Sequence, residues 1–229
     1  MPEVLELDLA ERELREVNSL LHQPELANDE VHILHPAGAH SVAVALNRAM
    51  RVTIDGHAGY YAAGMNQLAN VVINGNTGVG VAENMMSGSV IVHGNASQSA
   101  GATAHGGLLV IEGDAAARCG ISMKGVDIVV GGNVGHMSAF MAQAGRLVVR
   151  GDAGEALGDS IYEARIYVRG TVASLGADCV AKEMRPEHHE ELAALLKSAG
   201  FEEDDTSVYT RYGSARQLYN FNVRNTDAY

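Results

Sequence analysis

The side chains able to do chemistry are few and scattered. There are two thiols, Cys119 and Cys179. His57, His93, His105 and His136 are spread through the middle of the chain, and His188-His189-Glu190-Glu191 forms a compact run near its end. A metal centre needs several such groups converging on one point. The run lacks the His-Glu-x-x-His order of zinc proteases and reads as the solvated polar face of a helix. Gly131-Gly132-Asn133-Val134-Gly135 invites comparison with calcium-binding nonapeptide repeats, but the aspartates those need do not recur at that spacing. Gly78-Val79-Gly80 lacks the third glycine of a dinucleotide fingerprint. No paired carboxylates, nucleophile beside a base, or phosphate cradle stands out. The expectation is therefore no catalytic, cofactor-binding or metal-binding residue in this chain.

The elements that would have to position such groups are announced by a repeat. Gly56, Gly75, Gly94, Gly113, Gly132, Gly151 and Gly170 follow one another at a constant spacing of 19 residues. Two residues before each stands a β-branched residue: Ile54, Ile73, Val92, Ile111, Val130, Val149, Val168. Four before stands an aliphatic one, from Val52 to Ile166. Residues two apart on a strand share a face, so these columns line one interior. The column between them (Thr53, Val72, Ile91, Val110, Val129, Val148, Tyr167) is also mostly apolar, so its face should be at least partly covered, a partner being one candidate. After each glycine comes a short polar residue or His57, which reads as turn chemistry with glycine at positive φ. Asn76 and Asn95 could stack as an amide ladder or stand as separate turn residues. Small residues recur three and seven positions after each glycine and mark corners.

A 19-residue cycle is too short for a strand plus a crossover helix, which needs ~30 residues. The reading is all-β: a right-handed parallel β-helix of seven 19-residue coils with helical or irregular caps, the hand following the general preference of parallel crossovers. At ~4.8 Å per coil the rod is roughly 34 Å long. The glycine anchors of Cys119 and Cys179 are three coils apart, roughly 14 Å, beyond the ~7 Å a disulfide tolerates. Met85, Met86, Met123, Met137 and Met141 read as core filler.

Three segments follow: an N-terminal cap over 1–50, the glycine-repeat β-helix over 51–180, and a C-terminal helix and aromatic tail over 181–229. In the first, Asp8 with Glu11 suggests a helix start running to His22, and 31–35 and 42–46 read as strands of a degenerate first coil. In the last, Pro186 opens a helix to about Ser198, closed by Gly200. The tail holds Tyr209, Arg211, Tyr212, Arg216, Tyr219 and Phe221, residue types that dominate interface hot spots. It is a candidate partner contact, or it folds back and seals the last coil.

Net charge is −12 and falls mostly on the two ends, leaving the repeat nearly neutral. No basic face exists for nucleic acid, and no apolar run approaches the ~20 residues of a membrane span. The acidic start, Met-Pro-Glu-Val-Leu-Glu-Leu-Asp, is unlike a signal peptide, so a cytoplasmic location is expected.

The pattern Gly-x-x-Gly-x-x-x-small, clearest in Gly56-His57-Ala58-Gly59-Tyr60-Tyr61-Ala62-Ala63 and Gly151-Asp152-Ala153-Gly154-Glu155-Ala156-Leu157-Gly158, resembles the GXGXG-repeat β-helix that ends the large subunit of glutamate synthase. The same domain stands alone as a separate chain of formylmethanofuran dehydrogenase. The tail from Arg211 to Phe221 and the short acidic N-terminal extension are most similar to the stand-alone small subunit of the methylamine–glutamate N-methyltransferase (N-methylglutamate synthase) family. That resemblance implies a non-catalytic structural subunit of a hetero-oligomeric transferase. Its partners would be a class II amidotransferase-like subunit and an FMN-dependent glutamate-synthase-like subunit. FMN, with an iron–sulfur cluster as a second candidate, would be bound by a partner rather than by this chain. The alternative within this fold is the corresponding scaffold chain of a formylmethanofuran dehydrogenase or formyltransferase–hydrolase complex. A different class, a β-helical polysaccharide lyase or hydrolase, calls for a carboxylate or arginine cluster along one face, where this repeat places small and aliphatic columns.

Overall fold

A computed structural model describes residues 4–218. Nine strands stack in chain order, each parallel to the next: β1 (Leu5–Asp8), β2 (Glu30–Leu34), β3 (Arg51–Asp55), β4 (Asn70–Ile73), β5 (Ser89–Val92), β6 (Leu108–Ile111), β7 (Lys124–Val130), β8 (Ala144–Val149) and β9 (Arg165–Val168). Two more, β10 (Cys179–Lys182) and β11 (Thr210–Ser214), close the sheet antiparallel in the order β9-β11-β10. Helix α1 (Leu14–Leu21) joins β1 to β2, and α2 (Pro186–Ser198) lies between β10 and β11. The fold is the all-β parallel β-helix that the repeat predicts. From β3 to β9 the register advances by 19 residues, Val52 facing Val71 and so on to Ile166. The winding also extends upstream of the repeat, because Leu5 faces Val31 and Val31 faces Val52. The interior columns, Val52 to Ile166 and Ile54 to Val168, are buried in one continuous core.

Beyond each of the first six anchor glycines the coil turns through a stretch in which alternate residues are left-handed. Tyr61, Ala63 and Met65 have φ of 61°, 52° and 55°, and Met137, Ala139 and Met141 repeat the pattern at 55°, 56° and 52°. Alternation aims successive N–H groups at opposite neighbours. Tyr61 and Met65 donate to Val79 and Glu83 in the next coil (2.8 Å each), while Ala63 donates back to Val42 (2.9 Å). A left-handed residue with a Cβ costs about 1–2 kcal/mol, so bonding to both neighbours must offset it at every coil. Segment 42–46 belongs to this pattern, with Ser41, Ala43 and Ala45 at positive φ, and so it is a turn rather than the expected strand.

The anchor glycines serve a different purpose from the one expected. Only Gly56 among the seven has a positive φ. The others are glycine because coils touch there: a Cβ on Gly75 would stand 2.7 Å from the carbonyl carbon of Gly56, and one on Gly94 2.4 Å from Asn76 Oδ1. That close approach builds a ladder. His57 Nδ1 accepts from the N–H of Asn76 (2.9 Å), Asn76 Oδ1 from Asn95 (2.8 Å), and Asn95 Oδ1 from Asp114 (2.8 Å). It continues through Asn133 and Asp152 to Thr171. The rungs are side chain to backbone, rather than stacked amides.

The turn at 41–45 has no earlier turn to receive its backward-pointing groups, and α1 supplies the partners. Asn18 Oδ1 accepts from Ala43 N (3.0 Å), its Nδ2 donates to Ser41 O (2.8 Å), and His22 Nε2 donates to Val44 O (3.0 Å). The helix starts at Leu14 rather than after Asp8, because Asp8 ends β1 and its carboxylate accepts from Ala10 N in a turn (2.8 Å).

Candidate functional site at the C-terminal end of the rod

α2 is where the fold departs from pure repetition. Pro186 opens it, and Gly200, at φ +82°, follows its end. The helix lies on the outer column of the sheet. Val129, Val148 and Tyr167 are buried beneath Leu192, Leu195, Leu196 and Tyr209. The face for which a partner was one candidate is thus covered over its last coils by the chain itself. Val72 and Ile91, further up the same column, stay half-buried.

Two ion-pair clusters fasten this cover. Glu191 receives hydrogen bonds from Arg165 (2.5 Å), Arg146 (3.2 Å) and the Tyr167 hydroxyl (2.6 Å), and Arg146 also forks onto Asp127. Asp204 accepts two bonds from Arg150 (2.7 Å each) and one from the Tyr209 hydroxyl (2.6 Å), with Arg169 alongside at 3.4 Å. Arg150 also lies over the ring of Phe201, 4.0 Å from its centroid. These contacts, the Arg150 hydrogen bond first, pull the Asp204 carboxyl down to about 2. His188-His189-Glu190-Glu191 is therefore not a solvated run. His188 is buried, with Nδ1 accepting from Arg185 N (3.1 Å), and Glu191 is a structural anchor. Burial, then the Arg211 charge, pushes the His188 imidazole below its ordinary range, favouring the neutral ring.

The candidate partner residues divide. Tyr209 is buried. Tyr212 is half-buried against the core, on β11, which pairs with β9 and so seals the last coil. Arg211 and Arg216 face a cavity at the rod's end. Tyr219 and Phe221 lie outside the described residues.

The other reactive groups are dispersed. Cys119 and Cys179 are buried free thiols, and burial pushes each up to about 12, so neither is a thiolate near neutral pH. Among the described residues, no three His, Cys, Asp or Glu side chains are grouped to hold a metal. No helix among them is long and apolar enough to cross a membrane.

A second surface escapes any reading of methionine by residue type rather than by place in the coil. Met85 and Met123, ten residues after their glycines, are core. Met65, Met86 and Met141, nine or eleven after, are exposed, and Met137 is half-buried, so these are not the core filler expected. Met65, Leu68 and Met86 line an open groove of about 660 Å³ with Asn84 and His105. Column position in the repeat is the signal that separates the two sets.

No protein-family model matches the chain, and no solved structure matches it. Over 58 residues it is 59% identical to Protein GlxC of Rhizobium meliloti (strain 1021). That stretch is 25% of this chain and 25% of the relative, so the match spans a quarter of the relative's length and the two chains are of similar length.

Proposed function

We propose that this chain is a non-catalytic structural subunit of a glutamate-synthase-like complex of the methylamine–glutamate N-methyltransferase type. In this reading the rod holds an amidotransferase-like subunit and an FMN-binding synthase subunit together. The observation that carries it is the strict glycine repeat folded as a parallel β-helix, the feature it shares with the scaffold domain of those complexes. The repeated spacing is spent on coil stacking: glycines at contacts, acceptors in a ladder, small residues at left-handed corners. Glu191 of α2 and Asp204 beyond it are paired with arginines of the sheet and hold α2 down. The exposed methionine groove is a surface of adaptable, apolar character, of the kind partners use.

The test is the purified chain by itself. It is expected to retain no FMN and to give no turnover with glutamate and methylamine, and to support turnover when the two partner subunits are added. Flavin retention or activity by the isolated chain would overturn the reading. Restoration of a formyl-transferring complex instead would transfer the chain to the formylmethanofuran type.

A further inference from the structure

One surface of this acidic chain runs against its net charge of −12. A cavity of about 380 Å³ at the C-terminal end is lined by Arg165 of β9, Lys182 of β10, Arg185 before α2, Arg211 of β11 and Arg216. Three of these have carboxylate partners: Arg165 with Glu191 (2.5 Å), Arg185 with Glu183 (3.2 Å) and Arg216 with Glu163 (2.7 Å). Lys182 and Arg211 have none within 4.0 Å among the described residues.

Those two are also direct neighbours. The antiparallel register sets Lys182 opposite Arg211, on one face of the sheet. Like charges placed so are destabilising. Arg211 donates from Nε and Nη2 to the Glu183 carbonyl (3.1 and 2.8 Å), which fixes its guanidinium without neutralising it. Burial first disfavours the Arg211 cation; the charges of Arg165 and Arg185 add to this, while Tyr167 and Glu187 act against it. Gly213, in the same strand, is not required by crowding. A Cβ there would have 3.8 Å to Lys182 Cγ and 3.9 Å to Ala164 O. Its absence leaves the cavity floor open.

Two facing cations with no carboxylate within 4.0 Å among the described residues are a local conflict of the kind that marks a binding site. We propose that this cavity binds a phosphate dianion, free or as the head of a small phosphomonoester. A charge of about −2 on one tetrahedral group balances Lys182 and Arg211 together, the hydrogens left on Arg211 Nη1 and Nη2 reaching two oxygens and the lysine a third. The volume is at the small end of ligand pockets, which run about 300–1,000 Å³. This inference rests on β9–β11 and the residues flanking them and is independent of the scaffold reading.

The test uses the full chain, titrated calorimetrically with inorganic phosphate, glycerol phosphate and malonate at matched ionic strength, with melting temperature followed in parallel. Saturable phosphate binding with a rise in melting temperature is expected, and malonate should bind more weakly. Lys182→Gln should weaken phosphate binding about tenfold or more, yet melt at the same or a higher temperature without phosphate, because it removes a repulsion. Tighter binding of glycerol phosphate than of inorganic phosphate assigns the site to a phosphomonoester, and equal or weaker binding assigns it to the free ion. Absence of saturable heat at about 10 mM phosphate, malonate binding as tightly as phosphate, Lys182→Gln binding as wild type, or Lys182→Gln melting lower without phosphate would each overturn the proposal.

Discussion

At the residue scale the chain is governed by how closely one coil approaches the next. Glycine spacing was legible in the sequence, but its cause was not. A turn glycine and a contact glycine look alike in one coil, and only stacking distinguishes them. The difference is testable at Gly94, where an added Cβ would meet Asn76 Oδ1 at 2.4 Å and the Gly75 carbonyl carbon at 2.8 Å. Gly94→Ala is expected to destabilise the fold by about 2–4 kcal/mol in urea unfolding, through overpacking and a broken ladder rung. Thr77 runs the other way. It sits in the small interior column with Ala58, Ala96 and Val134, and its buried hydroxyl has no hydrogen-bond partner. Thr77→Val, an isostere already present at Val134 and Val172, should raise stability by about 1 kcal/mol.

At the element scale the informative parts are the two ends, where periodicity stops and the sequence says less. The position of α2 followed from Pro186 and Gly200, yet its resting place did not, since no local pattern says that Leu192, Leu195 and Leu196 meet Val148 and Tyr167. The α1 cap was hidden for the same reason. Asn18 reads as a surface residue until the first coil is seen to need a donor and an acceptor at that point. Asn18→Ala should therefore cost about 1–3 kcal/mol, the penalty for leaving buried backbone groups unpaired. The Asp204 cluster gives a pH prediction. Its folded carboxyl titrates at about 2, below the ordinary 3.8. The stabilisation is complete above the ordinary value and disappears as pH falls through the folded one. A shift of that size corresponds to on the order of 2 kcal/mol for a side chain this buried. Asp204→Asn should lose about that much stability near neutral pH and little relative to wild type near pH 2.

At the scale of the whole molecule, a continuous core and an unbroken sheet make one rod whose repeat specifies length and stiffness. The fold class was readable because seven coils repeat the same answer. The surfaces where a partner would sit were not, because exposure depends on column position and on what the ends fold over. No residue lining the methionine groove takes part in an ion pair among the described residues, and Met86 is exposed, so a charge there should leave the fold intact. Met86→Asp is expected to keep the wild-type melting temperature while reducing recovery of partner subunits. The proposed role makes the chain one member of a larger assembly. The most direct measurement is affinity purification of the full chain from its native source at low salt, with the co-purifying proteins identified by mass spectrometry. Recovery of amidotransferase-like and FMN-binding synthase-like subunits in fixed ratio to this chain is the predicted result. Recovery of the chain alone, at monomer size, would contradict it.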